Sequence, residues 1–113
     1  MKLLSRSEEV ILLAVWRLRD NAYGVTIRDL ASKSTGYEWD FAAVYIALDK
    51  LTRKGYVNKT LSKPIAERGG RSKCMYTLTL DGKNALKSIQ KVQKILWQGI
   101  SDAAFDLEEY QNG

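Results

Sequence analysis

Residues 40–61 read DFAAVYIALDKLTRKGYVNKTL. Asp40 is a good N-cap, because its short carboxylate can accept a backbone N–H that the first helical turn leaves unpaired. Val44, Leu48 and Leu51 follow at four- and three-residue steps, which places them on one face of a helix. Gly55 stands just past the last turn, where a left-handed residue ends a helix. The spacing predicts a helix from Asp40 to Lys54. Tyr56-Val57 and Thr60-Leu61 supply β-favouring residues, so 56–61 is predicted as a strand.

Downstream, Cys74, Tyr76 and Leu78 alternate with Met75, Thr77 and Thr79, and 72–79 is predicted as the partner strand. Between the strands lie Pro64, the only proline, and the pair Gly69-Gly70, an irregular hairpin tip. From Lys54 to Lys73 stand six basic residues, Lys54, Lys59, Lys63, Arg68, Arg71 and Lys73, against the single acid Glu67. The net charge of this stretch, +5, equals that of the whole chain. Thr79 then caps a last helix, with Asp81 in its first turn. Leu86, Ile89, Val92, Leu96, Ile100, Ala103 and Leu107 recur at three- and four-residue steps, with Lys83, Lys87, Lys91 and Lys94 opposite.

Upstream, Ser5 and Glu8 match a capping box for a helix from Ser5 to Asp20. Val10, Ile11, Leu13, Ala14, Val15, Trp16 and Leu18 cover more than one face, so this helix is expected to be buried on more than one side. A shorter helix runs from about Val25 to Ser34, with Thr26 and Asp29 at cap spacing. Ile27, Leu30 and Ala31 form its narrow stripe, and Thr35-Gly36 closes it.

Helix, helix, helix, hairpin, helix is the order of a winged helix-turn-helix. The expected fold is mainly α with a two-stranded β-hairpin wing. Residues 1–79 form the winged helix-turn-helix domain, and 80–109 a C-terminal dimerisation helix.

Bulk properties exclude several functions. The 113 residues suit one domain, and a 45% apolar content suits one modest core. There is no histidine and one cysteine, Cys74. A Ser/His/Asp or Cys/His catalytic constellation cannot exist, and no metal-ligand spacing is present. Gly69-Gly70 is followed by no Gly-Lys-Ser/Thr phosphate loop. No enzyme activity, cofactor or metal is expected. The apolar run Val10 to Trp16 is too short to span a membrane. The lone thiol reads as reduced, and the chain as soluble and cytoplasmic.

A flexible basic hairpin beside a helix-turn-helix suits phosphate contact or entry into a minor groove of double-stranded DNA. The third helix offers Phe41, Ala42, Ala43, Ile46, Lys50 and Arg53 on its outward side. Small residues let the backbone approach base edges, and alanine or phenylalanine can meet a thymine methyl. Lys50 and Arg53 lie further along, suited to flanking phosphates. Asp40 can accept from cytosine. No Arg, Asn or Gln stands in the first turn for bidentate readout, so specificity is expected to rest partly on DNA shape.

The stripe Leu86, Ile89, Val92, Leu96 and Ile100 exceeds what a winged helix can cover. A second copy is the simplest partner, with Val10 and Leu13 of the first helix completing the interface. Two recognition helices about one turn of DNA apart then select an inverted repeat. Trp97, beside the stripe, is a candidate for a pocket taking a flat aromatic ligand. The alternative function is a winged-helix module that binds protein without DNA. The basic hairpin opposes it, and no exposed aromatic sheet face supports RNA binding.

Several stretches together resemble the PadR family of bacterial transcriptional regulators, in its short form with a single C-terminal helix. They are Ala22-Tyr23-Gly24-Val25-Thr26-Ile27, then Val44-Tyr45-Ile46-Ala47-Leu48-Asp49-Lys50-Leu51 with Gly55, then Glu67-Arg68-Gly69-Gly70-Arg71, then Tyr76-Thr77-Leu78-Thr79 with Gly82. The resemblance implies a dimeric repressor on an inverted-repeat operator, and for some members an aromatic effector. It puts Asp40 to Tyr45 at the start of the recognition helix and Arg68 and Arg71 on the wing. Tyr23, Tyr45, Lys63 and Lys73 join the residues expected to face DNA. The usual His-Gly-Tyr opening of the second helix is here Ala22-Tyr23-Gly24, so no histidine contact carries over.

Overall fold

A computed structural model describes residues 4–62 and 73–106. Helix α1 spans Arg6–Leu18. Its cap is the expected box: Ser5 Oγ accepts the Glu8 N–H at 3.1 Å, and the Glu8 carboxylate accepts the Ser5 N–H at 3.1 Å. The helix stops before Asp20 because Arg19 takes φ +56°, outside the helical region. A 3-10 turn, Arg19–Asn21, carries the chain on.

Helix α2 spans Gly24–Thr35, and α3 Phe41–Arg53. Thr26 does not cap α2. The N-cap is Tyr23, and the Thr26 hydroxyl receives the Tyr23 N–H at 3.0 Å while donating to the Asn21 carbonyl at 2.6 Å. Asp40 does cap α3, accepting the Ala42 N–H at 3.3 Å. Gly36 and Gly55 end these helices at φ +82° and +79°, where a Cβ would be strained.

Strands β1, Val57–Leu61, and β2, Cys74–Leu78, pair antiparallel, with Val57 opposite Leu78 and Leu61 opposite Cys74. The Tyr76 N–H also bonds to the Ala22 carbonyl at 2.9 Å, and Tyr23 bridges to Met75. The base of the wing is thereby tied to the start of α2. The fold is mainly helical with a two-stranded hairpin. Its core is continuous: Ile11 and Leu12 of α1, Ile27 of α2, Val44, Leu48 and Leu51 of α3, and Val57 and Tyr76 of the hairpin are buried.

Helix α4 spans Leu80–Leu96, capped by Thr79, whose Oγ1 accepts the Gly82 N–H at 3.0 Å. It ends well before residue 109. Trp97 closes the last turn, and Gly99 takes φ +81°, the conformation that terminates helices. Residues 102–106 form a separate helical turn. The expected helical residues 107–109 lie outside the described region. The stripe of α4 also divides. Leu86 is buried in the core of its own domain, so it is not available to a partner. Leu96 and Ile100 are exposed.

Glu8 is the one buried charged residue among those described, and it meets Lys54 at the end of α3. Burial pushes its carboxyl up, but the Lys54 ammonium and the bonds from Ser5 outweigh that and hold it below the ordinary glutamate range. A depressed carboxyl stabilises the fold above the unfolded value, and that contribution is lost as pH falls through the folded value. Glu8→Gln keeps the acceptor for Ser5 and removes the charge. Lys54 is 36% exposed, so water screens the pair. The expected loss at neutral pH is about 1 kcal/mol, read as a fall of about 4 °C in melting temperature. Melts repeated at falling pH should show the gap to wild type narrow once the pH falls below the ordinary glutamate range. A gap that stays constant to pH 3 would place the effect elsewhere.

Candidate nucleic-acid interface

Two faces of α3 separate cleanly. Val44, Ala47, Leu48 and Leu51 are buried, while Phe41, Ala42, Ala43, Tyr45, Ile46, Lys50 and Arg53 are exposed. Phe41 is 40% and Ile46 57% exposed. Apolar side chains are thus held out on a helix with cations at its far end.

The turn before α3 is built by one face of α2. Arg28, Ser32 and Thr35 stand at i, i+4 and i+7, so they line up along the helix. The Arg28 Nε–H donates to the Trp39 carbonyl at 2.8 Å. Ser32 Oγ accepts the Trp39 N–H at 2.9 Å, and Thr35 Oγ1 accepts the indole N–H at 3.0 Å. Trp39 is buried, with Tyr37 stacked on it at 5.6 Å. The sequence reading missed these four residues. The polar i, i+4, i+7 row of α2 is the signal that could have found them.

Tyr45 lies over the first residue of α2. A Cβ at Gly24 would meet the Tyr45 hydroxyl, so a side chain there would push the exposed Tyr45 ring aside. Tyr23 is half-buried and carries the Lys73 ammonium 4.0 Å from its ring centroid, a cation–π contact. Lys73 is thus held at the foot of the wing. The other wing residues, Lys63, Arg68 and Arg71, lie outside the described residues. Tyr76 sits beneath this surface. Burial, then Cys74, Tyr45 and Asp49, push its phenol up to about 12, so it stays neutral under α3.

The α1/α4 side has a different character. Val10, Ile89 and Val92 are half-buried, and Leu13 is 37% exposed. A groove of about 530 Å³ runs between the helices, lined by Leu13, Trp16 and Ile89 among others. Gln93 of α4 donates across it to Glu9 of α1 at 3.1 Å. Trp97 is not part of this groove. It stands exposed at the end of α4, tilted against Phe105 at 6.1 Å. Ile95 is also exposed and was not anticipated. No group of metal-binding side chains occurs among the described residues, and none of their helices is long and apolar enough to cross a membrane.

The transcriptional regulator PadR-like family matches residues 12–88. The chain belongs to this family. The match covers α1 from Leu12, the helix-turn-helix, the hairpin and the first half of α4. A search of the curated proteins found no match. Among solved structures, the PadR-like transcription factor of Bacteroides fragilis is similar at a TM-score of 0.67 and 20% identity, over 79% of this chain and 81% of that one. A PadR family regulator of Clostridium difficile is similar at 0.61 and 23%, over 91% and 98%. RosR of H. salinarum is similar at 0.65 and 22%, over 96% and 91%. At these identities the likeness carries the fold. This PadR-like chain is a transcriptional regulator with a winged-helix architecture.

Proposed function

We propose that this PadR-like regulator is a repressor that binds double-stranded DNA as a homodimer on an inverted repeat. The outer face of α3 carries the reading. Phe41, Ala42, Ala43, Tyr45 and Ile46 are exposed together on one side of a capped helix, with Lys50 and Arg53 beyond them. A major groove offers thymine methyls and base edges to the first group and phosphates to the second. The basic hairpin beside it adds sequence-independent attraction. The repressor reading rests on the resemblance to the PadR family.

Titrating fluorescent random-sequence duplex at several salt concentrations tests the DNA reading. Binding should weaken steeply with salt, because each neutralised phosphate adds about 0.9 to the slope of log K against log salt. Arg68→Ala with Arg71→Ala is expected to weaken binding to every sequence and lower the slope by about one to two units. An unchanged slope would make the wing a spectator. Absence of binding by the wild type at low salt would remove the DNA reading.

A further inference from the structure

We propose that Arg28 is the positioning residue of the recognition helix: it sets operator discrimination by holding Phe41, without touching DNA itself. The proposal rests on the DNA-binding reading above. The Arg28 side chain is only 24% exposed, although it stands on a surface helix of a basic protein. Its donors are engaged within the chain. Nε reaches the Trp39 carbonyl at 2.8 Å, one terminal nitrogen reaches Glu38 at 3.0 Å, and the other lies 3.6 Å from Asp29. Two carboxylates beside the guanidinium offset its charge, which leaves it a poor ligand for phosphate. Its central carbon, Cζ, stands over the Phe41 ring, 5.0 Å from the centroid.

Phe41 is the first residue of α3 and is 40% exposed. Its ring direction therefore decides what the first turn presents to a base edge or a thymine methyl. A guanidinium over one side of that ring restrains it by cation–π attraction. The same group anchors the backbone at Trp39, two residues earlier. Lysine cannot replace it, because a single ammonium has no planar face and no fork to span the Trp39 carbonyl and Glu38 together.

The test uses duplexes that the full-length wild type selects from a random library, beside a scrambled duplex of the same composition. Wild type, Arg28→Lys, Phe41→Leu and the double variant are titrated on both, at a temperature where circular dichroism shows each protein folded. Arg28→Lys is expected to lose about tenfold in the ratio of selected to scrambled affinity. Its affinity for the scrambled duplex and its salt slope should match wild type. Phe41→Leu should lose the ratio too, and the double variant should lose less than the product of the two single losses, since both act through one ring. A salt slope lowered by about one unit would make Arg28 a phosphate contact and overturn the proposal. So would a lower melting temperature with the ratio intact, or single losses that multiply. If Arg28→Lys does not fold, an unchanged ratio in Phe41→Leu overturns it alone. A wild type that selects no duplex removes the DNA-binding reading and this proposal together. A wild type that selects, with discrimination retained in Arg28→Lys, removes this proposal only.

Discussion

Leu96→Asp combined with Ile100→Asp is expected to sediment as a folded monomer at micromolar concentration, where the wild type is expected to sediment as a dimer. Both side chains are exposed in the single chain, at 69% and 51%, and they stand among Ile95, Trp97 and Phe105, which are more than half exposed as well. Covering a large apolar side chain is worth about 1.5–3 kcal/mol, so this cluster supplies a driving force for a second copy to dock. A buried carboxylate without a counter-charge reverses it. The core does not depend on either residue, since Leu86 is the α4 residue buried in it. The variant should therefore melt near the wild-type core, lose preference for an inverted repeat and keep weak binding to any duplex. A variant that still sediments as a dimer would place the interface elsewhere.

Gly82→Ala is expected to destabilise the protein by about 2–3 kcal/mol, or about 10 °C in melting temperature. Helix propensity alone gives the opposite sign, since alanine favours a helix over glycine by about 0.5–1 kcal/mol. The clash decides. A Cβ at Gly82 would fall on the carbonyl oxygen of Tyr56 and lie 2.7 Å from Leu78 Cδ1. That oxygen is backbone and already accepts the Thr79 N–H at 3.0 Å, so it cannot step aside without loosening the cap of α4. The first turn of α4 would have to lift off the hairpin. Thermal melts of the two proteins measure this, and a melting temperature equal to or above wild type would contradict it.

What was legible in the chain was local. The Ser5–Glu8 box, the Asp40 cap, the Val44–Leu48–Leu51 stripe and Gly55 each depend on residues within a few positions, and each lies where its spacing indicates. The register of the hairpin, with buried Tyr76 between Cys74 and Leu78, is also a matter of alternation. Periodicity fails where the question is which surface a stripe meets. Leu86 and Leu96 share one stripe, yet the first is buried in its own core and the second is exposed. The repeat also runs unbroken through Gly99, while the backbone turns there. At the candidate interface, the outward row of α3 was readable because its inward row was. The clamp of Arg28, Ser32 and Thr35 on Trp39 joins residues up to eleven apart through side chains, and no apolar pattern marks it.

Selection of duplexes from a random library by the wild-type protein is the most direct test of function. After several rounds, the enriched sequences should converge on an inverted repeat with half-site centres about one helical turn, roughly 10 base pairs, apart. Each bound duplex should carry two chains by sedimentation. Enriched sequences without a repeat, one chain per duplex, or no enrichment at low salt would contradict a dimeric regulator that reads its operator through α3.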